Sequence, residues 1–204
     1  DPNISIEQLR SITTDIQGKV WMGTSGQGLT SFDKVNNQFE TFHLEPFKSG
    51  ISNFDRVISL EVDPTGDMWI GTQGNGLIVM DPESKRIKKW FTTEASSLKE
   101  RIPGNTIWKI SLTEGKDILL ANGKAGMILL NKDNGLVRQF LPTEKGSDDV
   151  NVQVFFQMND SLVAVGFEER GVQLLNLRTG LYLPLKNNLI NKILQEETGV
   201  KSLF

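Results

Sequence analysis

One nine-residue phrase occurs twice. The chain reads "WMGTSGQGL" at residues 21–29 and "WIGTQGNGL" at residues 69–77, 48 residues apart. The Trp, the Gly-Thr pair, both later glycines and the closing Leu are kept. Repetition at a fixed period restricts the fold to stacked copies of one supersecondary unit.

The phrase extends into longer units near residues 9–43 and 57–92. Both carry Asp, two residues, Gly, two residues, Trp, then Gly-Thr, a glycine-rich turn and an apolar run ending in Asp33 or Asp81. A third unit near 107–141 keeps the register, with Leu119 in the Trp place and Ala121 in the place of Gly71. A fourth, near 152–187, keeps glycines at Gly166 and Gly171. A fifth opens at "LINKILQEETGVKSLF", residues 189–204.

Each unit holds four short apolar runs. In the second these are "VISLEV", "DMWIGT", "GLIVMD" and "RIKKWF". The first and last alternate apolar and polar, the strand period. The breaks Asp-Pro-Thr-Gly, Gly-Asn-Gly and Asp-Pro-Glu-Ser favour tight reversals. Runs this short suit strands rather than helices. Each unit is therefore a four-stranded antiparallel meander, and the period with its Trp signature reads as a β-propeller blade. The expected fold is all-β: four complete blades, with inner strands near 9–15, 57–62, 107–113 and 152–158, and the start of a fifth at 189–204. Trp21 and Trp69 are expected to fill the gaps between blades. The glycines after them are expected where the chain turns sharply past that bulk. The chain reads as a segment of a larger propeller, with apolar terminal faces carrying Ile12, Trp21 and Leu29 at one end and Ile193 and Leu203 at the other. Self-association through these faces is the corresponding expectation.

Composition narrows the chemistry. The net charge is −3 with both signs interspersed, which argues against a nucleic-acid footprint. No apolar run approaches the roughly 18–20 residues of a membrane helix, so no membrane contact by this segment is expected. The absence of cysteine removes thiolate chemistry, and one histidine, His43, makes a zinc site improbable. No cofactor or metal is expected. His43 reads as a surface or packing residue rather than an acid–base catalyst. The repeated acids Asp15, Asp63, Asp33 and Asp81 read as turn formers rather than calcium ligands. "TSGQG" and "TQGNG" do not open helices, so they are turns rather than phosphate cradles. Binding residues concentrate on loops carried by a rigid scaffold. The candidates on the rim are Arg56, Arg101, Lys124 and Arg170, as cations for an acidic sugar or a partner, and Trp108, as a stacking face at the start of the third inner strand.

The pattern Asp-x-x-Gly-x-x-Trp-(Ile/Met)-Gly-Thr-x-Gly-x-Gly-Leu resembles the two-component regulator propeller repeat. It is carried by Asp15, Gly18, Trp21, Gly23 and Thr24 in the first unit and by Asp63, Gly66, Trp69, Gly71 and Thr72 in the second. The resemblance implies the periplasmic part of an inner-membrane hybrid two-component sensor, in which seven-bladed propellers precede a membrane span and a histidine kinase. It implies a non-catalytic role in signal transduction, with an oligo- or polysaccharide fragment as ligand and the remaining blades of the propeller as neighbours. A dimerising interaction scaffold is the alternative reading, with a homodimer as partner; a propeller lyase is the third.

Overall fold

A computed structural model describes residues 8–42, 44, 56–113, 115–142, 150–169 and 171–184. His43, Arg170, Ile193, Leu203 and the whole 189–204 segment lie outside the described residues. Among those described, the strands are β1 (Leu9–Thr14), β2 (Val20–Thr24), β3 (Leu29–Asp33) and β4 (Gln38–Phe42) in blade one, and β5 (Val57–Val62), β6 (Met68–Thr72), β7 (Leu77–Met80) and β8 (Ile87–Phe91) in blade two. Blade three holds β9 (Lys109–Leu112), β10 (Asp117–Ala121), β11 (Met127–Asn131) and β12 (Val137–Phe140). Blade four holds β13 (Val152–Gln157), β14 (Leu162–Phe167), β15 (Gly171–Asn176) and β16 (Tyr182–Pro184). Each blade is one antiparallel sheet in simple sequence order.

The repeated acids explain the reversals. Asp15 Oδ1 accepts the backbone N–H groups of Gln17 (3.0 Å) and Lys19 (2.9 Å), closing the β1–β2 turn. Asp63 Oδ1 does the same for Thr65 (2.9 Å) and Asp67 (3.1 Å). Gly18 and Gly66 then take φ of +80° and +90°, a region open to glycine at little cost. The other oxygen of each acid has a second duty. Asp15 Oδ2 accepts from Trp21 Nε1 at 2.8 Å, and Asp63 Oδ2 from Trp69 Nε1 at 3.0 Å. The Asp and Trp of the repeat are therefore one unit, a turn locked to a buried indole. Burial would raise the Asp63 carboxyl, but the hydrogen bonds from Thr65, Trp69 and Asp67 outweigh it and hold it below the usual carboxylate range. Asp33, Asp81, Asn131 and Asn176 each accept two backbone N–H groups in the turn after the third strand.

Three apolar clusters join the blades. Trp21 and Leu29 of blade one pack with Val57, Met68, Ile70 and Ile78 of blade two. Trp69, Leu77 and Phe91 of blade two pack with Ile107, Ile118, Leu120 and Ile128 of blade three. Leu119, Met127 and Phe140 of blade three pack with Phe155, Val163, Val165 and Leu175 of blade four. Among the described residues, no such cluster joins blade four back to blade one.

Two expectations are corrected here. Gly23 and Gly71 lie inside strands and mark no sharp turn; they leave room for the next blade. A Cβ on Gly23 would come within 2.6 Å of Val57 Cγ1, and one on Gly71 within 2.7 Å of the Ile107 carbonyl oxygen. Trp21 and Leu29 do not lie on an open terminal face either. Both are fully buried against blade two, whereas Ile12 is 62% exposed on the other side of the sheet.

Candidate ligand cleft on the rim

The turns between second and third strands share a rim with the connections between blades. Hydrogen bonds stitch the two together: Gln73 N–H donates to the Arg56 carbonyl (3.0 Å), Ile107 N–H to the Thr72 carbonyl (2.9 Å) and Val152 N–H to the Gly123 carbonyl (3.0 Å). In blades one and two the threonine side chain bonds within its own turn. Thr24 Oγ1 donates to the Gly28 carbonyl (2.9 Å) and accepts from Gln27 N–H (3.0 Å). Thr72 does the same with Gly76 (2.8 Å) and Asn75 (3.0 Å).

Blade three departs from this. Asn122 stands in the threonine place, and its buried side chain reaches out of its own turn to donate to the Gly104 carbonyl at 2.8 Å. A Cβ at Gly104 would lie 2.2 Å from Asn122 Oδ1, so this approach requires glycine. Asn105 anchors the same connection: its Oδ1 accepts from Thr93 N–H at 2.9 Å, and its carbonyl accepts from Gly74 (3.0 Å) and Gly76 (2.7 Å). Between these tethered segments lies a cleft of about 440 Å³ lined by Trp108, Lys124, Gln139, Asn151 and the amides already named.

Trp108 lies one residue before β9 rather than inside the inner strand. Its backbone N–H donates to Ala121 (2.9 Å), and part of the half-buried indole packs on the blade three–four cluster. It is therefore a packing residue that also borders the cleft. Its Nε1 is buried without a hydrogen-bond partner, whereas Trp21, Trp69 and Trp90 all donate. Lys124 is exposed at the cleft edge. The rest of the lining is amide-rich, and these amides bond within the protein: Asn105 with Thr93, Asn122 with the Gly104 carbonyl, Gln139 with the Ala125 carbonyl and Asn151 with Glu168.

The remaining candidates disperse. Arg56 is exposed, and its backbone pairs with Ser25 in an isolated bridge. The Arg101 guanidinium donates to the Ala95 carbonyl through Nε (3.3 Å) and Nη2 (3.0 Å), which shapes a loop rather than offering a free cation. Arg170 lies outside the described residues. A second hollow of about 640 Å³ on the same rim, bordered by Trp90, Lys88, Glu94 and Ser96, was not legible in the sequence. Trp90 Nε1 donates to the Asn75 carbonyl at 2.7 Å, so the β8 strand supplies an aromatic wall. The signal available was Trp90 itself, where the other units carry Thr41, Gln139 and Pro184.

Elsewhere, Glu61 on β5 is half-buried, and burial pushes its carboxyl up against the opposing pull of Lys109. Among the described residues, no group of three or more acids or histidines is placed to hold a metal ion. No helix among them is long and apolar enough to cross a membrane.

Four-stranded blades stacked through interblade cores, with tethered connections on one rim, define a segment of a β-propeller. Residues 52–74 match the two component regulator propeller family. Two solved structures from B. thetaiotaomicron share the fold. The extracellular domain of BT3049, described as a hybrid two component system, is 21% identical with a TM-score of 0.72, covering 90% of this chain and 26% of that one. The extracellular domain of BT4673, described as a one component system, is 18% identical with a TM-score of 0.73, covering 90% and 25%. This chain thus spans about a quarter of the length of those structures. Virginiamycin B lyase from Staphylococcus aureus is more distant, at 12% identity and a TM-score of 0.62, covering 87% and 55%. No curated protein matches the sequence significantly.

Proposed function

We propose that this chain is a ligand-reading segment of a periplasmic sensor propeller in two-component signalling. It binds without catalysis, and its ligand is a glycan fragment. The observation that carries this reading is the cleft at blade three. There the side chain in the threonine place, Asn122, bonds to the incoming connection instead of to its own turn, and Trp108, Lys124 and several side-chain amides border one hollow. An exposed ammonium donates to hydroxyls or to a uronic carboxylate, and an indole offers a flat apolar face to a sugar ring. A ligand bridging Lys124 on the blade-three turn and the 103–108 connection would bias the relative position of blades two and three. Such a differential contact is what a signal passed to a downstream kinase requires. The repeat match and the extracellular sensor domains of similar fold support this reading; the lyase shares the fold alone.

Isothermal titration with a panel of neutral and uronic-acid-containing oligosaccharides tests it. At least one is expected to bind, with Lys124→Ala and Trp108→Ala each weakening affinity by about tenfold or more, a loss of roughly 1.4 kcal/mol. Heat release unchanged by both substitutions, or none from any member, contradicts it.

A further inference from the structure

The hollow at Trp90 and the cleft at Trp108 adjoin, since Asn105 lines both. Asn105 is a fixed septum. Its side-chain amide donates to Thr93 Oγ1 at 3.0 Å and accepts from Thr93 N–H, while its carbonyl accepts from Gly74 and Gly76. The two hollows are also equivalent in the repeat. Trp90 and Gln139 take the same place on β8 and β12, opposite Ile78 and Ile128. Each donates to the carbonyl just before the turn glycine of its own blade, Trp90 Nε1 to Asn75 at 2.7 Å and Gln139 Nε2 to Ala125 at 2.9 Å. Blades two and three thus carry one hollow each, beside the turn between their second and third strands. At blade two the indole is tied by one edge and only partly buried. The 94–100 segment that supplies more of the wall is pinned as well. Arg101 holds the Ala95 carbonyl, Ser97 Oγ accepts from Lys99 N–H at 3.3 Å, and the Glu100 carbonyl accepts from Thr92 N–H at 3.0 Å.

The hollows differ in charge. At Trp108 the exposed Lys124 has no ion-pair partner among the described residues. At Trp90 both lining cations are engaged elsewhere, Lys88 Nζ with Asp67 and Lys89 Nζ with the Lys132 carbonyl at 2.9 Å. The Glu94 and Glu100 carboxylates border the same hollow, and among the described residues neither has a hydrogen bond or an ion pair. An ionised carboxylate only accepts, so it pairs with neutral hydroxyls and repels a second carboxylate. We infer that the ligand is a chain of sugars laid across Asn105 rather than a single unit, with a neutral, hydroxyl-bearing ring against Trp90 and any acidic unit at Lys124. This rests on the glycan reading above and extends it from one hollow to two. Once one unit is seated the second contact is intramolecular, so affinity rises when the chain becomes long enough to reach both.

Isothermal titration of the 204-residue chain tests it with three series of oligosaccharides, each from the disaccharide upward: alternating uronic and neutral (hyaluronan), all-neutral (cellulose) and all-uronic (polygalacturonate). In the alternating or the all-neutral series, affinity should step up by about tenfold or more between two successive members. The Trp90 indole N–H signal of a ¹⁵N-labelled chain should move only with members above that step. Trp90→Ala should remove the step and leave the shorter members unchanged, whereas Lys124→Ala should weaken every member. If Trp90→Ala loosens blade two, Glu94→Lys reads the same hollow from an exposed position: it should create a step in the all-uronic series. Affinity independent of length, a wild-type step confined to the all-uronic series, or a step unmoved by both Trp90→Ala and Glu94→Lys overturns the inference and leaves the single-cleft reading standing. No binding by any member overturns the single-cleft reading and this inference with it.

Discussion

Blade two and blade three share one topology, and four of their aligned differences bear on the rim and the core: Asp63 against Thr113, Trp69 against Leu119, Gly71 against Ala121, Thr72 against Asn122. In blade two the indole and carboxylate are bonded at 3.0 Å. In blade three both are gone together, and Thr113 Oγ1 closes the turn by donating to the Asp117 carbonyl at 2.7 Å. The joint loss follows from polar burial. An indole N–H without its acceptor, or a buried carboxylate without its donors, costs more than an apolar pair. The third difference is geometric. Ile107 crosses blade two at the Thr72 carbonyl and leaves no room for a methyl on Gly71. The leading strand of blade four meets blade three one place further on, at Gly123, and Ala121 fits. The fourth difference directs the Asn122 side chain toward the connecting segment, where the cleft lies, while the backbone turn stays closed by Asn122 N–H on the Gly126 carbonyl at 2.9 Å. Blades one and two use the threonine hydroxyl within the turn; blade three uses the Asn122 amide on the neighbouring connection.

The largest effect should come from the interblade side chains. Trp69→Ala should cost about 3–5 kcal/mol and Leu119→Ala about 2–5, both read as shifts in denaturant midpoint. Equal and negligible shifts would mean that these clusters do not hold the blades together. A smaller effect should separate the two turns. Asp63→Ala leaves the Trp69 N–H buried without a partner and should cost about 1–3 kcal/mol, whereas Thr113→Ala removes one partly buried hydroxyl bond and should cost about 1 or less. The Asp63 term also has a pH signature. Its folded carboxyl titrates below the usual range, so its contribution is fully present above the unfolded value near 3.9 and is lost as pH falls through the lower folded value. The gap between wild type and Asp63→Ala should therefore be constant at neutral pH and shrink in strong acid. A gap that widens on acidification would assign the wrong role to the carboxylate.

Much of this was legible in the sequence because blade architecture is written in local turn chemistry and in a repeat period. Asp-x-x-Gly turns and alternating runs each depend on neighbours close in the chain. What was not legible depends on residues far apart. The bond from Asp63 to Trp69 needed the strand geometry to bring a carboxylate under an indole. The purpose of Gly71 became visible only when Ile107, 36 residues on, was seen lying over it. Leu29 looked like a terminal-face residue because its blade begins the chain, yet side-chain direction, set by register with Gly23 and Phe42, turns it toward blade two. On the rim, Trp108 and Lys124 stand out by residue type. Arg101 does too, but its guanidinium is engaged by Ala95, a contact made within an irregular loop that no period describes. Asn122 carried no signal beyond its departure from the threonine of the repeat.

The claim that blade three reads the ligand can be tested on the indole N–H resonances of the four tryptophans in a ¹⁵N-labelled chain. Three indoles are already donors, to Asp15, Asp63 and the Asn75 carbonyl, and one is unpartnered. On titration with a binding oligosaccharide, the Trp108 signal should move progressively while those of Trp21 and Trp69 stay in place. Movement of Trp21 or Trp69 with Trp108 fixed would contradict the account.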